Sequence, residues 1–203
     1  MAPDVYRSIL KQGEGLYKEK GSKFIGHAMR VDTEKEFKEA IEKLQQKYHD
    51  ARHVCYALRI GIKNEFIAKS DDGEPMHSAA DPILGQIISA DLVNVAVFVV
   101  RYFGGTKLGV GGLKHAYKTA ALEAINKAQI KEFIISEEFK IYFNYSNSSH
   151  VMKLIADFEA VIIDQQYDEK CYLKVELRRS LAERFISKMR ELEYLGIRLD
   201  LKE

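Results

Sequence analysis

The residues whose types and spacing carry the most chemistry lie between Asn94 and Ala116, in NVAVFVVRYFGGTKLGVGGLKHA. Arg101, Tyr102, Gly104, Gly105, Lys107, Gly109, Gly111, Gly112, Lys114 and His115 crowd into this run, ahead of and within a helical pattern that begins at Leu113. Glycine lets a backbone N–H approach a ligand with no Cβ in the way, and a helix start carries about half a positive charge. Strand, glycine loop and helix in that order make an anion pocket. Lys107, Lys114, His115 and Lys118 oppose that helix dipole by ~0.3–1 kcal/mol each, a penalty that a bound anion removes. Lys23 and His53, at the starts of two strand patterns, complete the candidate anion-binding set. The competing reading makes the glycines tight-turn and packing residues and the lysines a solvated face. Neither GxxxxGK[ST] nor GxGxxG fits the run, so an ordinary nucleotide-binding fold is rejected.

A second cluster, Asp71, Asp72 and Glu74, places three carboxylates on a predicted acidic turn. Such a group can hold Mg²⁺ or another hard cation. The reading preferred here is a tight turn whose Asp side chains bond the local backbone, with an acid pairing Arg101 or Lys107 and so joining the pocket without metal. His77 and Asp81 are four apart and His53 or His115 could join them, but no HExxH or CxxC pattern supports a metal site. Cys55 sits mid-strand, where a thiol is buried and inert, and Ser78 lies in no GxSxG elbow. No catalytic residue, metal or cofactor is therefore assigned.

The elements that must position these residues read as follows. Residues 14–31 form a hairpin turning at Gly21 and Ser22. Thr33 and Glu36 make a capping box for a helix with Phe37, Ile41, Leu44 and Tyr48 as its inner stripe. HVCYALRIG (53–61) and EFIAKS (65–70) pair as strands, and a helix over 81–89 takes Asp81 as N-cap and Pro82 in its first turn. Val95–Val100 is a buried strand, and the third helix runs from Leu113 to about Ala128 with Ala116, Tyr117, Ala120 and Ala124 on one face. From 138 onward the order is βαββαβ, a ferredoxin-like pattern, with Ser180 and Glu183 capping the last helix and Gly196 ending it. Its outer face mixes Lys140, Tyr142, Tyr172, Lys174 and Arg178, as an RNA-stacking sheet does, but Glu176 and the lack of an RNP1 pattern favour an ordinary solvated face. The expected fold is α+β in two domains, 1–130 and 131–203.

Composition bounds the rest. The 203 residues are 46% hydrophobic and 30% charged with a net charge of +1, enough apolar residue for real cores and too little charge for strong nonspecific nucleic-acid binding. Residues 1–130 carry 19 Lys and Arg against 16 Asp and Glu, a net +3, and the remainder is net −2, which permits a local basic patch on the first domain. Two cysteines inside strand patterns suggest a reducing compartment, and with no signal-peptide core or membrane-length apolar run the expected location is cytoplasmic with no membrane partner.

SKFIGHA (22–28), ARHVCYALRIG (51–61), SDDGEP (70–75) and above all RYFGGTKLGVGGL (101–113) resemble the Impact family in its bacterial YigZ-like form, and the resemblance covers essentially the whole chain. It implies a first domain with a ribosomal-protein-like βα sandwich, as in a domain of the translocation elongation factor, and a ferredoxin-like second domain similar to another domain of that factor. Ribosome, RNA or translation-factor surroundings follow as an expectation. Eukaryotic members regulate the translational response to amino-acid starvation through an additional N-terminal domain that is not found in this sequence. Two positions depart from the family pattern: Met76–Ala80 replaces a glycine-containing SGTAG-like run, and His115 stands where the family has an arginine. A histidine's charge depends on pH where an arginine's does not, which weakens the expected anion grip there. The expected function is a non-enzymatic, translation-linked regulator binding RNA, the ribosome or another phosphate-bearing ligand, or a translation-related protein. The alternatives are an enzyme acting on a small phosphorylated or carboxylated substrate with a metal on the acidic turn, and a protein-interaction module whose glycine loop is structural.

Overall fold

The structure is a computed structural model of the chain and describes residues 4–62, 65–168 and 171–200. It divides into two compact units, Tyr6–Phe133 and the rest of the chain. The architecture is α+β in both.

The first unit is built on a five-stranded antiparallel sheet of β2 (Gly13–Glu19), β3 (Ser22–Arg30), β4 (His53–Ile60), β5 (Phe66–Ser70) and β6 (Val95–Tyr102), in the order β2-β3-β6-β4-β5. Its central strand, β6, explains its own composition. Val95, Val97 and Val99 point into one core and Ala96 and Phe98 into another, so the strand is apolar on both faces. The second core is closed by α1 (Glu34–Lys47), where Phe37 stacks on Phe98 with ring centroids 5.7 Å apart. The cap forms as expected, with the Glu36 N–H donating to Thr33 Oγ1 at 3.2 Å, while Glu36 Oε2 reaches one residue past the cap to accept from the Asp32 N–H at 2.7 Å.

The opposite core is closed by α2 (Ala80–Ser89) and α3 (Gly109–Lys127). The alanine face of α3 lies directly on strand backbone. A Cβ at Gly26 of β3 would come 2.3 Å from the Ala120 carbonyl oxygen, so only glycine permits the approach. A further ribbon, β1 (Val5–Lys11) paired with β7 (Gln129–Ile134), has no counterpart in the sequence reading.

The second unit has β8 (Ser136–Phe143), α4 (Ser148–Asp157), β9 (Val161–Gln166), β10 (Cys171–Arg178), α5 (Arg179–Glu191) and β11 (Arg198–Asp200), with strand order β11-β8-β10-β9. This is the expected βαββαβ sequence of elements. Phe139, Ile141 and Phe143 of β8 and Leu173, Val175 and Leu177 of β10 face the helices. On the other face Tyr142 and Tyr172 pair at 5.4 Å, and Lys174 bonds Glu138 at 2.7 Å, so cation and carboxylate neutralise each other there.

Four local expectations are corrected. The first hairpin turns at Lys20 and Gly21, both at positive φ, and Ser22 already belongs to β3. The third helix starts at Gly109, four residues before Leu113, so Gly109, Gly111 and Gly112 form its first turn instead of a loop. Asp81 is not the N-cap of α2: the helix begins at Ala80, and the N–H groups of Ala79 and Ala80 donate to Asp71 Oδ1 at 2.9 and 2.8 Å. Ser180 and Glu183 do not cap the last helix either, since it begins at Arg179 and the Ser180 N–H donates to Asp4 Oδ1 at 2.7 Å. In both helices a carboxylate from another segment does what the local sequence was expected to do.

Candidate functional site

A cavity of about 450 Å³ opens at the start of α3. Three separate segments line it. The turn into β4 supplies Arg52 and His53, the acidic turn after β5 supplies Glu74 and Pro75, and the end of β6 with the start of α3 supplies Arg101, Phe103, Lys107, Leu108, Gly109, Val110 and Leu113. Register brings the first and last together, because His53 of β4 lies directly opposite Arg101 of β6.

The acidic turn is a scaffold for this cavity. Asp71 Oδ2 accepts from the His77 N–H at 2.9 Å while Oδ1 takes the two amides at the start of α2. Burial pushes the Asp71 carboxyl up, but the amides of Ala80, Ala79 and His77 outweigh it and hold its pKa below the usual value. Asp72 Oδ2 accepts from the Val54 N–H at 2.6 Å, and the Asp72 carbonyl accepts from His53 Nδ1 at 2.6 Å, which places Nε2 3.9 Å from Glu74 Oε1. Both aspartates are thus engaged by the backbone, as the preferred reading of this turn has it. Among the described residues no cluster of three or more His, Cys, Asp or Glu is arranged to hold a metal. His77 Nδ1 pairs with Asp81 Oδ2 at 2.7 Å, and Lys69 bonds the other oxygen of that carboxylate.

Glu74 is the acid that enters the site. Its side chain is 4% exposed, and Oε1 accepts from Arg101 Nη1 at 2.5 Å and from the Tyr117 hydroxyl at 2.8 Å. Arg101 is itself 8% exposed, with its guanidinium 5.5 Å from the Phe24 ring and 5.6 Å from the Phe103 ring. Its Nε has no hydrogen-bond partner among the described residues. Behind Glu74, Cys55 Sγ lies 3.4 Å from the Tyr117 hydroxyl and 3.0 Å from the Asp71 carbonyl. Burial drives the Cys55 and Tyr117 pKa values upward, so neither is an activated nucleophile or base at neutral pH.

The start of α3 is built without internal support. Leu108 occupies the N-cap and provides no side-chain hydrogen bond, and the first turn contains no acid. By contrast α1 has Thr33, α2 has Asp71 and α5 has Asp4, while α4 runs on from a 3-10 turn at Tyr145–Asn147. The first four N–H groups of any helix lack intrahelical partners, so those of α3 require solvent or a ligand. Against the single acid Glu74, the cavity presents Arg52, Arg101 and Lys107.

Of the residues singled out in the sequence, the cavity gathers His53, Glu74, Arg101, Lys107 and Gly109. Others lie elsewhere. The His115 ring packs edge-on against Tyr17 at 5.7 Å, on the side of α3 that faces β2. Tyr102 donates to Asp50 Oδ1 at 2.6 Å, and that bond pushes its pKa up to about 12. Lys23 sits opposite Tyr102 in the β3–β6 register. The Gly104 N–H donates to Ser22 Oγ at 3.1 Å, and a Cβ there would come 1.9 Å from the Gly21 carbonyl carbon, so this glycine serves the crossing of loop and hairpin. Gly105 has φ +86° and open space around it, and Lys114 is exposed outside the lining.

The segment that contains every lining residue, residues 20–125, matches the family model described as the Impact N-terminal domain. The chain belongs to the Impact family. Among relatives it is 28% identical over 182 residues to the Impact family member YigZ of Escherichia coli, covering 89% of each chain. It is 37% identical over 127 residues to the member YvyE of Bacillus subtilis, covering 63% of this chain and 58% of that one. A solved crystal structure of a hypothetical protein superposes with a TM-score of 0.75 at 25% identity, over 99% of this chain and 98% of that one. The Impact segment ends within α3, so the whole cavity belongs to it and none to the second unit.

Sequence reasoning passed over Arg52, Pro75, Phe103, Leu108, Val110 and Leu113. Arg52 and Phe103 carry a usable signal, since a cation and an aromatic ring beside a candidate anion site are residue types that contact ligands. The apolar residues carry none, because a helix's inward stripe and a cavity's lining look alike in one dimension.

Proposed function

We propose that this Impact-family chain is a non-enzymatic, translation-linked regulator that works in the cytoplasm and binds RNA, free or in the ribosome, through the cavity at the start of α3. The observation that carries the reading is the coincidence, in one cavity, of an uncapped glycine-built helix start with Arg52, Arg101 and Lys107. Backbone N–H groups supply neutral donors and the three cations supply charge, a combination suited to phosphate. Arg101 is held ready by Glu74 and by two aromatic rings, so little side-chain freedom is lost when an anion arrives. The translation link follows from family membership and from the elongation-factor kinship that the resemblance implies. Among the described residues no helix is long and apolar enough to cross a membrane.

The enzymatic alternative draws less support. Its metal ligands would be Asp71, Asp72 and Glu74, whose oxygens accept hydrogen bonds from backbone amides, Arg101 and Tyr117. The test is the salt dependence of binding to a fluorescent single-stranded RNA. Affinity should fall steeply with salt, and replacing Arg52 and Lys107 together by alanine should flatten the log–log slope by about 0.7 for each phosphate no longer neutralised. Equal binding at low and high salt, or an unaltered slope in the double variant, would refute the proposal.

A further inference from the structure

The cavity is too large and too apolar for phosphate alone. At about 450 Å³ it falls within the ~300–1,000 Å³ typical of small-molecule sites. Pro75, Phe103, Leu108, Val110 and Leu113 make up nearly half of its lining. Two of these remain open to solvent, Phe103 at 46% and Val110 at 49% exposure, so the site presents an aromatic ring and an aliphatic wall beside its cations. A charge-only anion site has no use for such a wall.

Resting on the phosphate-binding reading above, we infer that the cavity seats one whole nucleotide unit, with its phosphate at the start of α3 and its base against Phe103. Three observations converge on this class of ligand. Arg101 is nine-tenths buried and lines the cavity, and its Nε is a buried donor without a partner among the described residues, a cost that marks this side chain as held for something besides the fold. Its guanidinium lies over the Phe103 ring, 5.6 Å from the centroid, so positive charge is set against an aromatic ring that is itself 46% exposed, a pairing that suits the phosphate and base of one nucleotide. The remaining cations sit on different segments, Arg52 ahead of β4 and Lys107 ahead of α3, with Lys114 and Lys118 exposed further along α3. That spread suits successive phosphates of a strand better than one isolated monoester. Duplex RNA keeps its bases stacked and cannot deliver one, so the occupant is an unpaired nucleotide, whether within a single strand or free.

The experiment compares a fluorescent octauridylate with inorganic polyphosphate, on the full chain and on Phe103→Leu and Phe103→Tyr. Loss of the ring should weaken octauridylate binding by about 5- to 150-fold, the range for one stacked base, leave polyphosphate binding unchanged, and be restored by tyrosine. Competition by uridine 5′-monophosphate but not by ribose 5-phosphate supports the base seat and identifies a free nucleotide as sufficient. Competition only by longer oligomers supports it with the strand as the source. Equal losses for octauridylate and polyphosphate, or no loss for either, would overturn it while leaving the phosphate reading standing. Displacement by a phosphotyrosine peptide but not by the oligomer would also overturn it. Should the unaltered protein bind neither polyanion, the phosphate reading itself fails, and this inference with it.

Discussion

Replacing Gly111 by alanine separates the two explanations of the glycine-rich turn, because they predict different effects on two measurements. Gly111 is the third residue of α3, its φ is not in the left-handed region, and a Cβ built on it meets no atom within 4 Å. Neither backbone conformation nor packing therefore requires glycine. Alanine in a helix is favoured over glycine by roughly 0.5–1 kcal/mol, so the variant should be more stable by about that amount. For a unit of this size that corresponds to a melting temperature higher by ~2–5 °C. Gly111 contributes one of the first-turn amides of α3, next in the chain to the lining residue Val110, and a methyl there that crowds a phosphate off one charge-assisted hydrogen bond costs ~1.5–3 kcal/mol, or about 10- to 150-fold in RNA affinity. Gly109→Ala is the control: Gly109 has φ +72°, so alanine there should destabilise by ~1–2 kcal/mol even though nothing lies near the added methyl. Thermal melts and fluorescence anisotropy on both variants give the answer. A stabilised Gly111→Ala protein that binds RNA as tightly as before would refute the assignment of the helix start as the phosphate seat.

The remaining predictions concern the scaffold. Glu74→Ala strands the buried Arg101 guanidinium and should cost ~3–5 kcal/mol in urea unfolding, whereas Glu74→Gln, whose amide oxygen still accepts from Arg101 and Tyr117, should cost less. The Asp71 carboxyl has a folded pKa below its unfolded value of about 3.9, so its contribution is complete above that pH and is lost as pH falls through the folded value. The stability gap between the unaltered protein and Asp71→Asn should accordingly shrink below pH ~4. Burial lowers the His27 pKa despite the opposing pull of Glu14, so stability should decline as pH drops below about 6.5, and His27→Gln should remove that part of the decline in melts taken from slightly alkaline to mildly acidic pH.

Legibility in the sequence followed the range of the interactions. The capping box at Thr33 and the both-faces-apolar β6 are written within a few consecutive residues, and both appear where expected. Two of the helix starts that differ from the sequence expectation take their caps from a distance. Asp71 reaches α2 from eight or nine residues upstream, and Asp4 reaches α5 from 176 residues away, so no local window contains both partners. The β1–β7 ribbon was missed for a related reason: Ser8 and Ile9 are buried side by side, which breaks the alternation by which a strand is recognised. Three glycines in four positions contradict helix propensity, so the sequence points to Leu113 for a helix that the chain starts at Gly109.

That departure is informative. Gly104 is explained by the hairpin it touches and Gly109 by its dihedral angle, but the chain's own stability would be better served by another residue at Gly111 and by a capping side chain at Leu108. The same few residues adjoin a buried arginine with an unsatisfied nitrogen, beside an aromatic ring left nearly half exposed. Elsewhere in the first unit side chains serve the fold itself, from the stacked Phe37 and Phe98 to the amides gathered by Asp71, and local costs that accumulate around one cavity are the mark of a surface shaped for a partner. The capped helices elsewhere matter to this conclusion as much as the site does. A fold that was merely tolerant of poor helix starts would show them at α1, α2 and α5 as well, where instead Thr33, Asp71 and Asp4 satisfy orphan amides, and α4, which also lacks a side-chain cap, continues a 3-10 turn in which the Ser148 N–H already donates to the Tyr145 carbonyl.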